Sequence, residues 1–259
     1  MRIFPVYFLA LTLAISSCNV DLAKDREVIS QRKIFVLYDT LERLQESKQI
    51  IPNVDTSYLE YVFKAYNLES IRSLDSSIQV NLMYAGTSNF MGVNFYDGLR
   101  QAYFPCEVAL GLCRAQYYLK LVNPGFSLLV LDAARPLHIQ QMMWDSLKMP
   151  DDRKFNYLSP PYETSLHNYG CAADVTIVEL STGLQVDMGS DFDTFEKISQ
   201  PAFEQKFLGN GELSREAYEN RRLLRWAMKR GGFASIASEW WHFGYGNKTL
   251  AATKFKLIK

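Results

Sequence analysis

Only three histidines, His138, His167 and His242, occur in the chain, and two of them keep company with a carboxylate. His167 stands in Ser165-Leu166-His167-Asn168-Tyr169-Gly170-Cys171-Ala172-Ala173-Asp174, and His242 closes Glu239-Trp240-Trp241-His242. A hydrolytic zinc site needs three protein donors and one open position for water. His167, Asp174 and His242 would supply two imidazoles and a carboxylate to one Zn2+ per chain. Zinc lowers the pKa of its bound water toward about 7. A further carboxylate must then take the proton and return it to the leaving amine. Glu239, three residues before His242, is close enough to share the pocket. Gly170 and the small Ala172-Ala173 pair let the backbone pass near the ion. A lone histidine is more often a core or surface residue, and E-x-x-H recurs by chance, so it is the conjunction that points to a metal. His138, after Arg135-Pro136, reads as an ordinary helix residue.

These side chains need a scaffold. Ile71 to Tyr84 alternates loosely and reads as a strand ending at Gly86, and 87–98 as a loop. Pro105 suits a helix start, with apolar residues at helical spacing to about Val122 and a turn at Asn123-Pro124-Gly125. Phe126–Leu131 reads as a buried strand, followed by a helix from near Pro136 and a loop over 149–163. Ala172–Leu180 is a strand, turned by Ser181-Thr182-Gly183. Residues 191–213 read as irregular. Arg215–Arg230 is a helix ended by Gly231-Gly232, and Phe233–Tyr245 holds a final strand or strand pair. Helices and strands mix without a βαβ repeat, which implies an α+β domain with a mainly antiparallel central sheet flanked by helices.

The motif S-x-H-x-x-G-x-A-x-D, followed far downstream by E-W-W-H, resembles the D-alanyl-D-alanine dipeptidases of the VanX type, in the M15 zinc peptidases. Tyr84-Ala85 with Asn89-Phe90 and Gly92, the Leu131–Pro136 segment with its D-x-x-R-P, and Met188-Gly189-Ser190-Asp191-Phe192-Asp193 resemble further family segments. The likeness covers about residues 66–246. It implies His167, Asp174 and His242 as zinc ligands, Glu239 as general base, and Arg135 as partner of the oxyanion. It also implies that Asp193 and Tyr84 recognise the free amino end of a small D-amino-acid dipeptide, with Ser165 lining the same pocket. The resemblance and the His2Asp set imply zinc rather than iron or manganese. Ala133-Ala134 replace the Gly and aromatic residue more usual in the family.

The surrounding chain frames this expectation. It has 259 residues, 48% hydrophobic, with 28 basic and 28 acidic side chains and no basic block, so nothing points to nucleic acid. Met1-Arg2 precede an apolar run from Ile3 to Ile15 and then Ser16-Ser17-Cys18. The run is shorter than the ~20 apolar residues that cross a bilayer and suits a signal peptide. Its end resembles a bacterial lipobox, which implies lipidation at Cys18 and a location in the bacterial cell envelope, with membrane contact through the anchor only. A plain signal peptide with an incidental Cys is the alternative. Residues 1–18 are thus read as signal, 19–65 as tether and helical extension, and 66–259 as the catalytic domain. Cys106, Cys113 and Cys171 are expected as buried free thiols. Two competing functions stay open: an M15 carboxypeptidase or endopeptidase acting on longer peptidoglycan peptides, and a non-catalytic envelope binding lipoprotein.

Overall fold

The computed structural model describes residues 57–155 and 157–259. The signal segment, Cys18 and the 19–65 extension as far as residue 56 lie outside the described residues. Helix α1 (Tyr58–Ala65), capped by the Ser57 hydroxyl, turns Leu59, Val62 and Phe63 into the core. The last turns of the extension therefore pack as part of the globular unit.

A five-stranded sheet carries the fold, in the order β2 (Gln79–Val80), β4 (Phe126–Asp132), β5 (Ala172–Glu179), β7 (His242–Tyr245), β6 (Phe233–Ser235). Only the β2–β4 pair is parallel; the other three pairings are antiparallel. A short ribbon of β1 (Leu68–Ser70) and β3 (Tyr103–Pro105) lies outside it. Side chains alternate across β4, as a period of two requires. Leu128 and Val130 join the main core, while Leu129 and Leu131 meet Val178 on the other face under Met83 and Phe192. Helices α3 (Cys106–Val122) and α7 (Arg215–Gly231) pack on each other against the sheet. Helix α4 (Leu137–Ser146) follows β4, and α8 (Lys248–Lys254) follows β7. Among the described residues no helix is long and apolar enough to cross a membrane.

The α+β architecture with a mainly antiparallel sheet is as expected. Two segments differ from the sequence reading. Ile71–Tyr84 forms a helical turn α2 (Ile71–Leu74), the two-residue β2 and a 3-10 turn (Met83–Ala85) rather than one strand. Asp75 accepts from the backbone and hydroxyl of Ser77, a local bond that competes with strand pairing. Residues 191–213 contain a helix, α6 (Glu204–Asn210), and a one-turn helix α5 (Asp151–Lys154) interrupts the expected 149–163 loop. Cys113 and Cys171 are buried free thiols, and burial pushes both up to about 12. Cys106 is instead disulfide-bonded.

Candidate active site

Strand register builds the first half of the site. Asp132 at the end of β4 stands opposite Asp174 on β5, and Asp174 stands opposite His242 on β7. Three neighbouring strands therefore present Asp, Asp and His in one row. A register shift between Val130 and Asp132 marks the point where β4 re-aims its last side chain.

His167 joins from the loop before β5. It sits in a 3-10 turn (Leu166–Tyr169) closed by a capping box: the Ser165 hydroxyl accepts from His167 N–H, and the Ser165 N–H donates to Asn168 Oδ1. Asn168 Nδ2 donates to the Arg135 carbonyl, and Arg135 N–H donates to the His167 carbonyl, both at 2.9 Å. Gly170 ends the turn at φ +65°, where a Cβ would come within 2.7 Å of Pro105 Cδ. The sequence Ser-x-His-Asn-x-Gly thus encodes the turn as well as the histidine it presents.

The donor atoms converge. His167 Nε2 lies 3.2 Å from His242 Nδ1 and 3.5 Å from Asp174 Oδ1, and His242 Nδ1 lies 2.9 Å from Asp174 Oδ1. Donors about 2.0–2.1 Å from a tetrahedral ion are roughly 3.3 Å apart, so the three spacings fit one ion. His167 Nδ1 is 2.7 Å from the Ala133 carbonyl, which fixes that nitrogen as the N–H and leaves Nε2 with its lone pair toward the cluster. Burial opposes ionisation of Asp174, yet His167 and His242 outweigh it and hold the carboxyl well below its usual range. Burial lowers the His242 imidazole, but the hydrogen bond and charge of Asp174 raise it to a net upward shift. The chemistry of this donor set is that of a divalent transition-metal site.

Around the cluster stand the other expected residues. Glu239, half-buried ahead of β7, is raised by burial against the opposing pull of His242. The Arg135 guanidinium is buried, donates to Asp132 through Nε and Nη2 and to Gln140 through Nη1, and lies 5.2 Å over the Tyr84 ring. Tyr84 OH donates to the Asp193 carboxylate at 3.1 Å. Burial and then the charge of Asp174 push Asp193 up to about 8, with the Tyr84 hydrogen bond pulling the other way. Ser165 lies in the same neighbourhood, but its hydroxyl caps the His167 turn. His138 is an exposed residue of α4.

Sequence reasoning missed four supporting residues. Asp132 is fully buried, accepts from Tyr96 OH at 2.5 Å and from Arg135, and its Oδ2 lies 3.6 Å from His167 Nδ1. Its signal was present in D-x-x-R-P, where an acid three residues before Arg135 pairs with it. Gln140 and Asn168 complete the scaffold of Arg135. Arg221, also fully buried, donates to the carbonyls of Met188 and Ile198 and so holds the loop that delivers Asp193.

The comparisons with known proteins agree with this geometry. The M15 peptidase family model, described as D-ala-D-ala dipeptidase, matches residues 64–259. A D-alanyl-D-alanine dipeptidase of Synechocystis sp. is 28% identical over 215 residues, covering 71% of this chain and 82% of the relative. The Escherichia coli protein of that name is 30% identical over 64% of this chain and 78% of its own length. The Enterococcus faecium protein is 32% identical over 62% and 82%. With the matched region taking in every residue of the site, the chain belongs to the M15 family of D-Ala-D-Ala dipeptidases and is a peptidase, a hydrolase.

Proposed function

We propose that the protein hydrolyses the dipeptide D-Ala-D-Ala to two D-alanines, with Zn2+ held by His167 Nε2, Asp174 Oδ1 and His242 Nδ1. The observation that carries this reading is the convergence of those three atoms, 2.9–3.5 Å apart, beside a raised carboxyl and a fixed guanidinium. When bound, the ion supplies a Lewis acid and a water of lowered pKa. Glu239 takes a proton as the water oxygen adds to the peptide carbonyl, then delivers it to the departing amine as the C–N bond breaks. Its upward shift brings it nearer the working pH, where one group can serve as base and then acid. Arg135 cannot swing to solvent, because Asp132 and Gln140 occupy three of its nitrogens, and its charge is fixed where negative charge develops on the carbonyl oxygen. Asp193 and Tyr84 hold the substrate ammonium. The incoming ammonium favours ionised Asp193, and the resulting ion pair selects a free amino end.

The test is D-alanine release from D-Ala-D-Ala by the zinc-loaded protein, by the same sample with chelator, and by Glu239→Ala. The expected result is release by the first alone, with Glu239→Ala retaining zinc. Equal cleavage of an N-acetylated dipeptide would instead favour the reading of a peptidase for longer peptidoglycan peptides.

We infer from the N-terminal sequence that Cys18 is lipidated and tethers the domain in the bacterial cell envelope. Palmitate labelling and the intact mass of the membrane-associated protein test it. An intact mass that lacks the diacylglyceryl addition at Cys18 would overturn the anchor.

A further inference from the structure

Three aromatic rings from three separate loops meet beside the site. Phe195 lies edge-on to Phe90, with centroids 4.8 Å apart, and to Tyr157, at 4.6 Å; Phe90 and Tyr157 face each other at 6.4 Å and 17°. All three are half-buried, and Phe90 and Tyr157 rest on the core. Each ring belongs to a loop that is itself tied to the machinery proposed above. Asn89 Nδ2 binds the carbonyls of Met83, Gly86 and Val93 around Tyr84, fixing the Phe90 loop. The Tyr157 loop is held by Gln140, whose Nε2 donates to the Ser159 carbonyl at 2.7 Å while its Oε1 accepts from Arg135. Phe195 follows Asp193, which sits at φ +60°, a conformation uncommon for a residue with a Cβ.

A cleft of about 950 Å³ adjoins this cluster. Phe90, Phe192 and Asp193 line it, whereas His167, Asp174, Glu239 and His242 do not. Asp193, the residue proposed to hold the amino group, thus faces both the cleft and Tyr84. Of the three rings Phe90 alone lines the cleft, with Tyr157 and Phe195 packed against it.

We propose that Phe90, Tyr157 and Phe195 form an aromatic clasp that sets substrate length by excluding peptides extended at their amino end. The proposal rests on the dipeptidase reading and adds a steric determinant to the ionic one at Asp193. An exclusion made of contacts among three rings is weakened by deleting one of them, and Phe195 bridges the other two edge-on.

The experiment compares D-Ala-D-Ala with glycyl-D-Ala-D-Ala, whose hydrolysis at the D-Ala–D-Ala bond yields glycyl-D-Ala and D-alanine. The quantity read is the ratio of kcat/KM for the tripeptide to that for the dipeptide, in wild type, Phe195→Ala and Tyr157→Leu. The ratio is expected to rise about tenfold or more in Phe195→Ala, a change of the size that pocket contacts produce. A ratio unmoved in both variants, or a wild type that accepts both peptides equally, overturns the clasp. Calorimetric affinities of the two peptides for Glu239→Ala, with and without Phe195→Ala, give the same comparison without turnover. A wild type that cleaves neither peptide would refute the proposed activity, and the binding ratio would still decide on the clasp.

Discussion

Asp132 gathers more of the site than His167, Asp174 or His242 does. One buried carboxylate takes the Tyr96 hydroxyl on one oxygen and the Arg135 guanidinium on the other, with His167 alongside. Asp132→Asn keeps the shape but removes the charge that positions Arg135. The expected outcome is a fall in kcat of about 10²-fold with a smaller change in KM, since in the proposed mechanism Arg135 acts on charge that exists only in the transition state; steady-state kinetics checks it. Asp193 gives a pH prediction. Its pKa is about 8 folded against 3.8 in the unfolded reference. Between those values the folded state binds the extra proton, so stability falls as pH rises through that window. Urea midpoints of the metal-free protein should therefore decline more from about pH 5 to 8 in wild type than in Asp193→Asn. The clustering of His167, Asp174 and His242 was legible because their types and spacing carry meaning without a fold. Asp132 was not, since an acid three residues from an arginine reads equally well as a surface ion pair, and only burial separates the two.

Arg221 governs an element rather than the chemistry. From inside α7 it reaches the Met188 and Ile198 carbonyls, the Ser190 hydroxyl and Glu204, which also forms two 2.7 Å bonds to Arg225. The loop it holds also depends on Gly189, at φ +75°, where a Cβ would fall 2.2 Å from Leu213 Cδ1. Arg221→Met leaves buried carbonyls unpaired and strips one partner from Glu204. A cost of about 3 kcal/mol in urea unfolding is expected, together with a raised KM for the dipeptide as Asp193 loses its fixed position. Helices α3 and α7 were readable from periodicity and end signals, including Gly232 as the left-handed cap of α7. Ile71–Tyr84 and α6 were not. The first is broken by the local bonds that Asp75 accepts from Ser77, and the second is anchored by an ion pair from Glu204 to Arg225 of the next helix. Neither cause shows in hydrophobic periodicity.

At the level of the whole molecule, the proposed ligands come from two strands and a loop, so metal binding would couple to the fold. Zn2+ at a hundredfold excess over its Kd should stabilise the protein by about 2.7 kcal/mol. Calorimetry should show a raised Tm that chelator reverses and that Asp174→Ala abolishes. The sheet order was the least legible feature, because it places β7, late in the sequence, between β5 and β6. Beyond β7, buried Ile258 donates its N–H to the Asn168 carbonyl and accepts from Leu137 N–H, both at 2.8 Å, pinning the His167 turn to the start of α4. These contacts impose a timetable on biosynthesis. A nascent chain carries His167 and Asp174 long before it carries His242, and it gains the clasp at Ile258 later still. In a chain wired in this way the turn that holds His167 is complete only after residue 258 has emerged.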